Sequence, residues 1–141
     1  PDKWRRVRFY HTPFEERFAS RILLEDSPRQ LVPGEKHFSP NKAYWFSASA
    51  PDYTGQPPWN TVIFIYNERK DLIKITLLDH SNSEPTLTWI NEKLLQIGVW
   101  WGSIVGTDII YDVEKESVVY KEMVRDGQVV YQQWRQSQGR K

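Results

Sequence analysis

The chain has 141 residues, 39% of them hydrophobic and 26% charged, so it is long and apolar enough to bury the core of one globular domain. Nineteen basic and 18 acidic residues leave a formal net charge of +1, so the composition does not favour nucleic acid as a partner. The absence of cysteine excludes disulfides, thiol catalysis and Cys-containing zinc sites, and no apolar run approaches the roughly 20 residues of a membrane-spanning helix.

The first predicted elements are a strand and a short helix. Residues 4–10 can form a strand, because apolar side chains recur there with a period of two. Thr12 can cap a following helix, and apolar side chains recur every four residues from Phe14, as they do on one face of a helix. The spacing predicts a short N-terminal helix from about Pro13 to Leu24.

From residue 38 onward the pattern is that of strands, several of them with one buried face. Seven segments carry it: residues 43–49, 60–67, 72–78, 93–101, 107–113, 117–124 and 128–134. Asp126-Gly127 is typical of a two-residue hairpin turn and places the last of these strands after it. Residues 135–141 are rich in Gln, Ser and Arg, and we expect them to fray.

These elements predict a mainly β fold in a single domain that covers residues 1–141. Residues 1–37 form its N-terminal strand and helix, residues 38–134 an antiparallel β-meander, and residues 135–141 its tail. The fold then has about eight strands. They can be arranged as two propeller-like blades, as a small sandwich or as a barrel.

Two segments that begin 51 residues apart share an aromatic residue, a polar turn ending in Lys and a following strand: residues 38–42 (FSPNK) and 89–93 (WINEK). Both resemble the blade-opening motif of TolB-like β-propellers, which is an aromatic residue, Ser-Pro-Asp-Gly-Lys and an apolar strand. Residues 109–114 (IIYDVE) resemble the next strand of such a blade, so the resemblance covers about residues 38–123.

The match departs from the motif, because Asn41 replaces the Asp, no Gly follows it, and the second copy has lost the Ser-Pro. A closed propeller needs at least four blades, and this chain has room for about two. A plain antiparallel β-meander uses the same kinds of turn residues, and we favour a meander over propeller blades. The resemblance implies a binding scaffold and nothing more specific about function.

No motif in the sequence predicts a convergent set of catalytic residues. The three histidines, His11, His37 and His80, have no spacing typical of a metal site. Asp108 and Asp112 share one face of a predicted strand, but four residues of strand span ~13 Å, which is too far for paired carboxylates. The sequence therefore predicts no catalytic residues, no metal site and no cofactor.

Two features can form a binding surface. Three prolines stiffen the loop over residues 50–59, in which Tyr53 and Trp59 either are displayed as aromatic anchors or fold back over the edge of the core. Trp100 and Trp101 face opposite sides of a strand, so only one of them can enter a given core. We take Tyr53, Trp59 and Trp100 as the candidate ligand-binding residues.

The sequence favours a non-catalytic binding domain that recognises a protein or a carbohydrate through these aromatic residues. The alternative is a small hydrolase whose histidine and carboxylate residues meet only in the fold, with His37 or His80 as candidates. Nucleic acid is a third possible ligand, because the first predicted strand is basic. A homodimer is also possible, because the unpaired edge strand of a meander can pair with that of a second copy. The chain begins with Pro1 and not with Met, which favours a periplasmic or secreted protein.

Overall fold

The computed structural model describes residues 9–26, 34–69 and 71–139, and it is mainly β, as the sequence predicts. Within these residues the elements follow in this order: β1 (Phe9–Pro13), a 3-10 helix (Glu16–Arg21), β2 (Ile22–Glu25), β3 (His37–Phe38), β4 (Tyr44–Ser49), β5 (Trp59–Asn67), β6 (Asp71–His80), β7 (Thr86–Trp89), β8 (Leu94–Trp100), β9 (Val105–Asp112), β10 (Ser117–Asp126) and α1 (Gly127–Gly139). None of the helices among the described residues has the length and apolar character needed to cross a bilayer.

The strands form two five-stranded antiparallel sheets of the same design. Sheet A has the order β1-β10-β9-β8-β7, and sheet B has the order β2-β6-β5-β4-β3. Each sheet is a meander of four consecutive strands, and a strand from the N-terminal part of the chain is added beside the last of them. The predicted antiparallel meander is therefore confirmed. It is divided between two sheets, and the described strands form no closed barrel.

One face of each sheet contributes to a single hydrophobic core. Buried residues of this core come from sheet B and from sheet A, and they include Ile63, Ile65, Ile75, Leu77, Leu95, Ile97, Ile109 and Tyr111. Phe18 of the 3-10 helix stacks on Trp101, with ring centroids 5.5 Å apart, and both rings are buried. Each large apolar side chain buried in this way contributes roughly 1.5–3 kcal/mol.

A short N-terminal helix is present, but the predicted bounds, Pro13 to Leu24, are wrong. The helix in this stretch is a 3-10 helix, Glu16–Arg21, and the chain then pairs with β6 as strand β2. The predicted cap is also wrong, because Glu15 precedes the helix and makes no side-chain cap hydrogen bond. Pairing with an existing sheet satisfies more backbone groups than a short isolated helix does, and it overrides the local propensity. Strand residues predicted before Phe9 lie outside the described residues.

The strand predicted over residues 128–134 is wrong, because these residues belong to α1. Asp126 Oδ1 accepts hydrogen bonds from the backbone N–H groups of Gln128 (2.9 Å) and Val129 (3.2 Å). Asp126 is thus the N-cap of a helix and not the first residue of a hairpin turn, a role for which Asp is equally suited. Residues 135–139, predicted to fray, continue this helix, and residues 140 and 141 lie outside the described part.

The two similar turns, residues 38–42 and 89–93, lie against each other and connect the two sheets. Glu92 accepts hydrogen bonds from the Ser39 hydroxyl (2.7 Å) and from the backbone N–H groups of Asn41 (2.5 Å) and Ala43 (3.0 Å). Desolvation raises the pKa of the Glu92 carboxyl, but the three hydrogen-bond donors lower it by more, so the pKa lies below its usual value. The ionised carboxylate therefore holds the two turns together.

Candidate functional site

The outer face of sheet A, opposite the core, brings together one imidazole and two carboxylates from three neighbouring strands. His11 lies on β1, Glu122 on β10 and Asp108 on β9, and one donor atom of each lies within 4.8 Å of the others. His11 Nδ1 is 2.8 Å from Glu122 Oε1, and the Tyr120 hydroxyl donates to Glu122 Oε2 at 2.7 Å. We call His11, Asp108 and Glu122 the His11 cluster.

Asp108 and Glu122 are directly opposite each other in the β9–β10 pair. Like charges in this position destabilise a sheet. Partial burial raises the pKa of Asp108, the charge of Glu122 raises it further, and His11 opposes both effects. Because sequences seldom keep an unfavourable pair without a compensating gain, the pair marks a candidate functional site.

A β-bulge creates this pair of carboxylates. The β9–β10 register begins with Ser117 opposite Asp112, and it shifts by one residue between Val118 and Tyr120. Without the shift, Lys121 would be opposite Asp108, where a favourable ion pair could form. The bulge places Glu122 there instead, and bulges are known to redirect side chains beside functional sites.

The space for the Asp108 carboxylate comes from a glycine on the neighbouring strand. Gly98 is opposite Asp108, and a Cβ at this position would lie 3.1 Å from Asp108 Oδ1 and 2.6 Å from Thr86 Oγ1. Any other residue at position 98 would have to displace a side chain on this face. Gly98 therefore keeps one side of the His11 cluster open.

Trp100 lies on the same outer face and borders the His11 cluster. Its ring covers Gly106, where a Cβ would be only 3.1 Å from two ring atoms, and Gly106 is two residues before Asp108 on β9. The Phe9 ring is 5.9 Å away and 41% exposed. We call Phe9 and Trp100 the aromatic ledge. The structure also decides between the two tryptophans, because Trp101 is the one that enters the core.

Tyr53 and Trp59 form a second aromatic group at the ends of β5 and β6. Their ring centroids are 6.0 Å apart, and the Tyr53 ring is 6.3 Å from that of His80. Burial raises the pKa of Tyr53, Glu84 raises it further, and the Thr61 hydroxyl opposes them. Both rings are half-buried, so each lies partly against the end of the sheet and keeps part of its surface exposed. Their role in ligand binding stays a prediction.

The surroundings of His80 and His37, the two histidines proposed for a hydrolase, are typical of histidines that stabilise the fold. His80 is 3% exposed, and its Nδ1 is 2.6 Å from the Ser81 carbonyl oxygen. Since a carbonyl only accepts, Nδ1 donates to it, and Nε2 is hydrogen-bonded to the Thr61 hydroxyl at 2.8 Å. His37 stacks on Phe46, with ring centroids 4.8 Å apart. Within the described residues, neither histidine forms an ion pair with a carboxylate.

The His11 cluster is not among the sites that the sequence predicts. The sequence suggests Asp112 as the possible partner of Asp108, but the Asp112 carboxylate accepts hydrogen bonds from the turn amides of Glu114 and Lys115, both at 2.9 Å. Residues 107–113 and 117–124 are both predicted strands, but only the bulge between β9 and β10 selects Glu122 as the partner of Asp108. His11 is 111 residues away from Glu122 in sequence, and no local pattern indicates that β1 joins this sheet.

Comparison with protein-family models, with curated proteins and with solved structures gave no match to this chain. The resemblance of residues 38–123 to TolB-like blades therefore stays a prediction.

Proposed function

We propose that this protein is a non-catalytic binding module and that its ligand is a carbohydrate, bound on the outer face of sheet A. The observation that carries this proposal is the position of the aromatic ledge beside the His11 cluster. All of these side chains stand on paired strands, so the surface is rigid before the ligand arrives and little conformational entropy is lost on binding.

The chemistry of the surface favours a neutral, hydroxyl-rich ligand. The apolar side of a sugar ring can pack against the partly exposed rings of Phe9 and Trp100. The carboxylates of Asp108 and Glu122 accept hydrogen bonds from hydroxyl groups, and each has capacity for more than one. Their negative charge disfavours phosphate-rich ligands such as nucleic acid.

A hydrolase acting on the same ligand class is the second candidate, and one observation favours it. The raised pKa of Asp108 beside Glu122 is the kind of difference that separates a general acid from an ionised partner. Retaining glycoside hydrolases place two carboxyl groups about 5–5.5 Å apart, and the donor atoms of this pair lie within 4.8 Å. We favour binding because the side chain of His11 is 51% exposed, whereas catalysis of this kind gains from a site that excludes water.

A glycan array followed by calorimetry with the best saccharide tests the proposal. We expect Trp100→Ala and Asp108→Asn to weaken binding at least tenfold, which is about 1.4 kcal/mol. Trp134→Ala removes a partly exposed aromatic ring from α1 and serves as the matched control, with unchanged affinity expected.

Three outcomes would overturn the proposal: no saccharide bound by the array, binding that survives Trp100→Ala, or binding lost only in Trp59→Ala. The last outcome would move the site to the loop before β5. Release of sugar from chromogenic glycosides, abolished by Asp108→Asn, would establish the hydrolase instead.

A further inference from the structure

We propose that His11, Asp108 and Glu122 form a binding site for a divalent transition-metal ion, with Zn²⁺ as the best-matched ion. The proposal depends on the geometry of these three side chains and does not require the carbohydrate proposed above. It assigns a specific role to residues that the sequence did not connect.

The donor set suits zinc. It offers one imidazole nitrogen and two carboxylate oxygens, the ligand types that Zn²⁺ binds at about 2.0–2.2 Å. In a tetrahedral site, ligand atoms at these distances lie roughly 3.4 Å from one another. His11 Nδ1 and Glu122 Oε1 are now 2.8 Å apart, and all three donors lie within 4.8 Å, so small side-chain movements complete the site.

The charge of the cluster favours a cation. Within the described residues, neither Asp108 nor Glu122 forms an ion pair with a lysine or an arginine. The bulge that puts Glu122 in place of Lys121 removes the cation that the strand could have supplied. A divalent ion would neutralise both carboxylates, and the like-charge repulsion would become an attraction to the metal.

The surroundings also match those of a metal site. Metal-binding carboxylates are usually held by a further hydrogen bond, and the Tyr120 hydroxyl provides one to the second oxygen of Glu122. Gly98 leaves space beside Asp108. Three protein ligands leave a fourth position of a tetrahedral zinc ion open to water or to a ligand oxygen. The imidazole ligand disfavours Ca²⁺ and Mg²⁺, which prefer oxygen ligands.

Calorimetric titration of the EDTA-treated, dialysed protein with ZnCl₂ tests the site. We expect one zinc ion per chain and a dissociation constant below the millimolar range. His11→Ala and Glu122→Gln should each weaken binding at least tenfold, and Tyr120→Phe about tenfold through the lost support of Glu122. His37→Ala, which removes another exposed histidine, is the matched control and should bind zinc normally.

Substitution of Co²⁺ provides a second readout. Visible absorption bands of a tetrahedral nitrogen–oxygen site should appear in the wild type and be absent in His11→Ala. Circular dichroism of each variant checks that the fold is retained. Zinc binding weaker than millimolar, or equal in the wild type and His11→Ala, would overturn the proposal.

The two proposals can fail separately. Saccharide binding that persists in EDTA, without zinc uptake, would overturn the metal site alone. Zinc uptake with no saccharide bound, whether zinc is present or removed, would overturn the carbohydrate proposal alone.

Discussion

Sheets A and B share one design, but their outer faces differ. On sheet B, the rings of Trp45 and Phe64 lie near the ring of Tyr66, with centroid distances of 6.1 and 6.4 Å, and Lys36 Nζ is 5.1 Å from the Trp45 ring. Phe64 is opposite Lys74, so no like charges meet there. The outer face of sheet A carries the His11 cluster beside the aromatic ledge.

One β-bulge explains part of this difference. In sheet B the β5–β6 register shifts after its first residue pair and again before its last. In sheet A the shift lies between Val118 and Tyr120, after the first two pairs of β9–β10, and it places Glu122 opposite Asp108. The same scaffold is thus a packed aromatic surface in one sheet and a charged, partly exposed surface in the other.

The first prediction, which has the largest expected effect on the free energy of unfolding, tests whether the two sheets share one core. Ile63→Ala in sheet B and Ile97→Ala in sheet A each remove a side chain that is 0% exposed, and each should lower the free energy of unfolding by about 2–5 kcal/mol. Urea unfolding followed by tryptophan fluorescence and by circular dichroism should show one coincident transition for both variants. Two separate transitions, with each substitution affecting only one, would show that the sheets are independently stable.

The second prediction concerns the Glu92 contact between the sheets. Because the folded-state pKa of Glu92 is lowered, its contribution to stability is present above the unfolded value of about 4.5 and is lost as the pH falls through the folded value. The midpoint of thermal unfolding should therefore be lower for Glu92→Gln than for the wild type at pH 7, and the difference should shrink as the solution is acidified. Glu114→Gln, at an exposed turn, is the control, and an equal change in both variants would contradict the prediction.

The third prediction concerns a substitution at position 122. It places opposite Asp108 the positive charge that Lys121 would supply if the β9–β10 register did not shift. Compared with Glu122→Gln, which also removes the carboxylate that His11 and Tyr120 contact, Glu122→Lys forms an opposite-charge pair with Asp108, so we expect its free energy of unfolding to be higher by about 0.2–1 kcal/mol. Zinc binding should be lost in Glu122→Lys, which separates stability from function. A Glu122→Lys variant that is less stable than Glu122→Gln, or that still binds zinc, would show that the Asp108–Glu122 pair does not have the role proposed here.

The smallest effect concerns Asp108 alone. Partial burial is the main cause that raises its folded-state pKa, so the ionised carboxyl destabilises the fold at neutral pH, and this cost disappears as the pH falls below the unfolded value of about 3.8. Asp108→Asn should be slightly more stable than the wild type at pH 7 and equally stable at pH 3. Chemical denaturation at the two pH values measures this, and a less stable Asp108→Asn at pH 7 would contradict it.

The strand content of the core could be predicted because it is a local property of the sequence. Alternating apolar residues such as Ile73, Ile75 and Leu77 specify one buried face wherever the strand is placed. Asp126-Gly127 shows the limit of local patterns, since the same dipeptide suits a hairpin turn and a helix N-terminus. Residues 22–24 show another limit, because their backbone becomes a strand only where β6 is available for pairing.

By itself, the sequence determined that most of the chain between residues 38 and 126 forms antiparallel strands, that the protein is mainly β and that Trp100 and Trp101 point to opposite sides. The tertiary structure alone decided the division into two sheets, the placement of β1 and β2, and the meeting of His11 with Asp108 and Glu122. The physical reason is the range of the interactions. Alternation and turns depend on neighbours in sequence, whereas sheet edges and a one-residue bulge depend on pairing between distant segments, whose energies are decided only when the whole fold has formed.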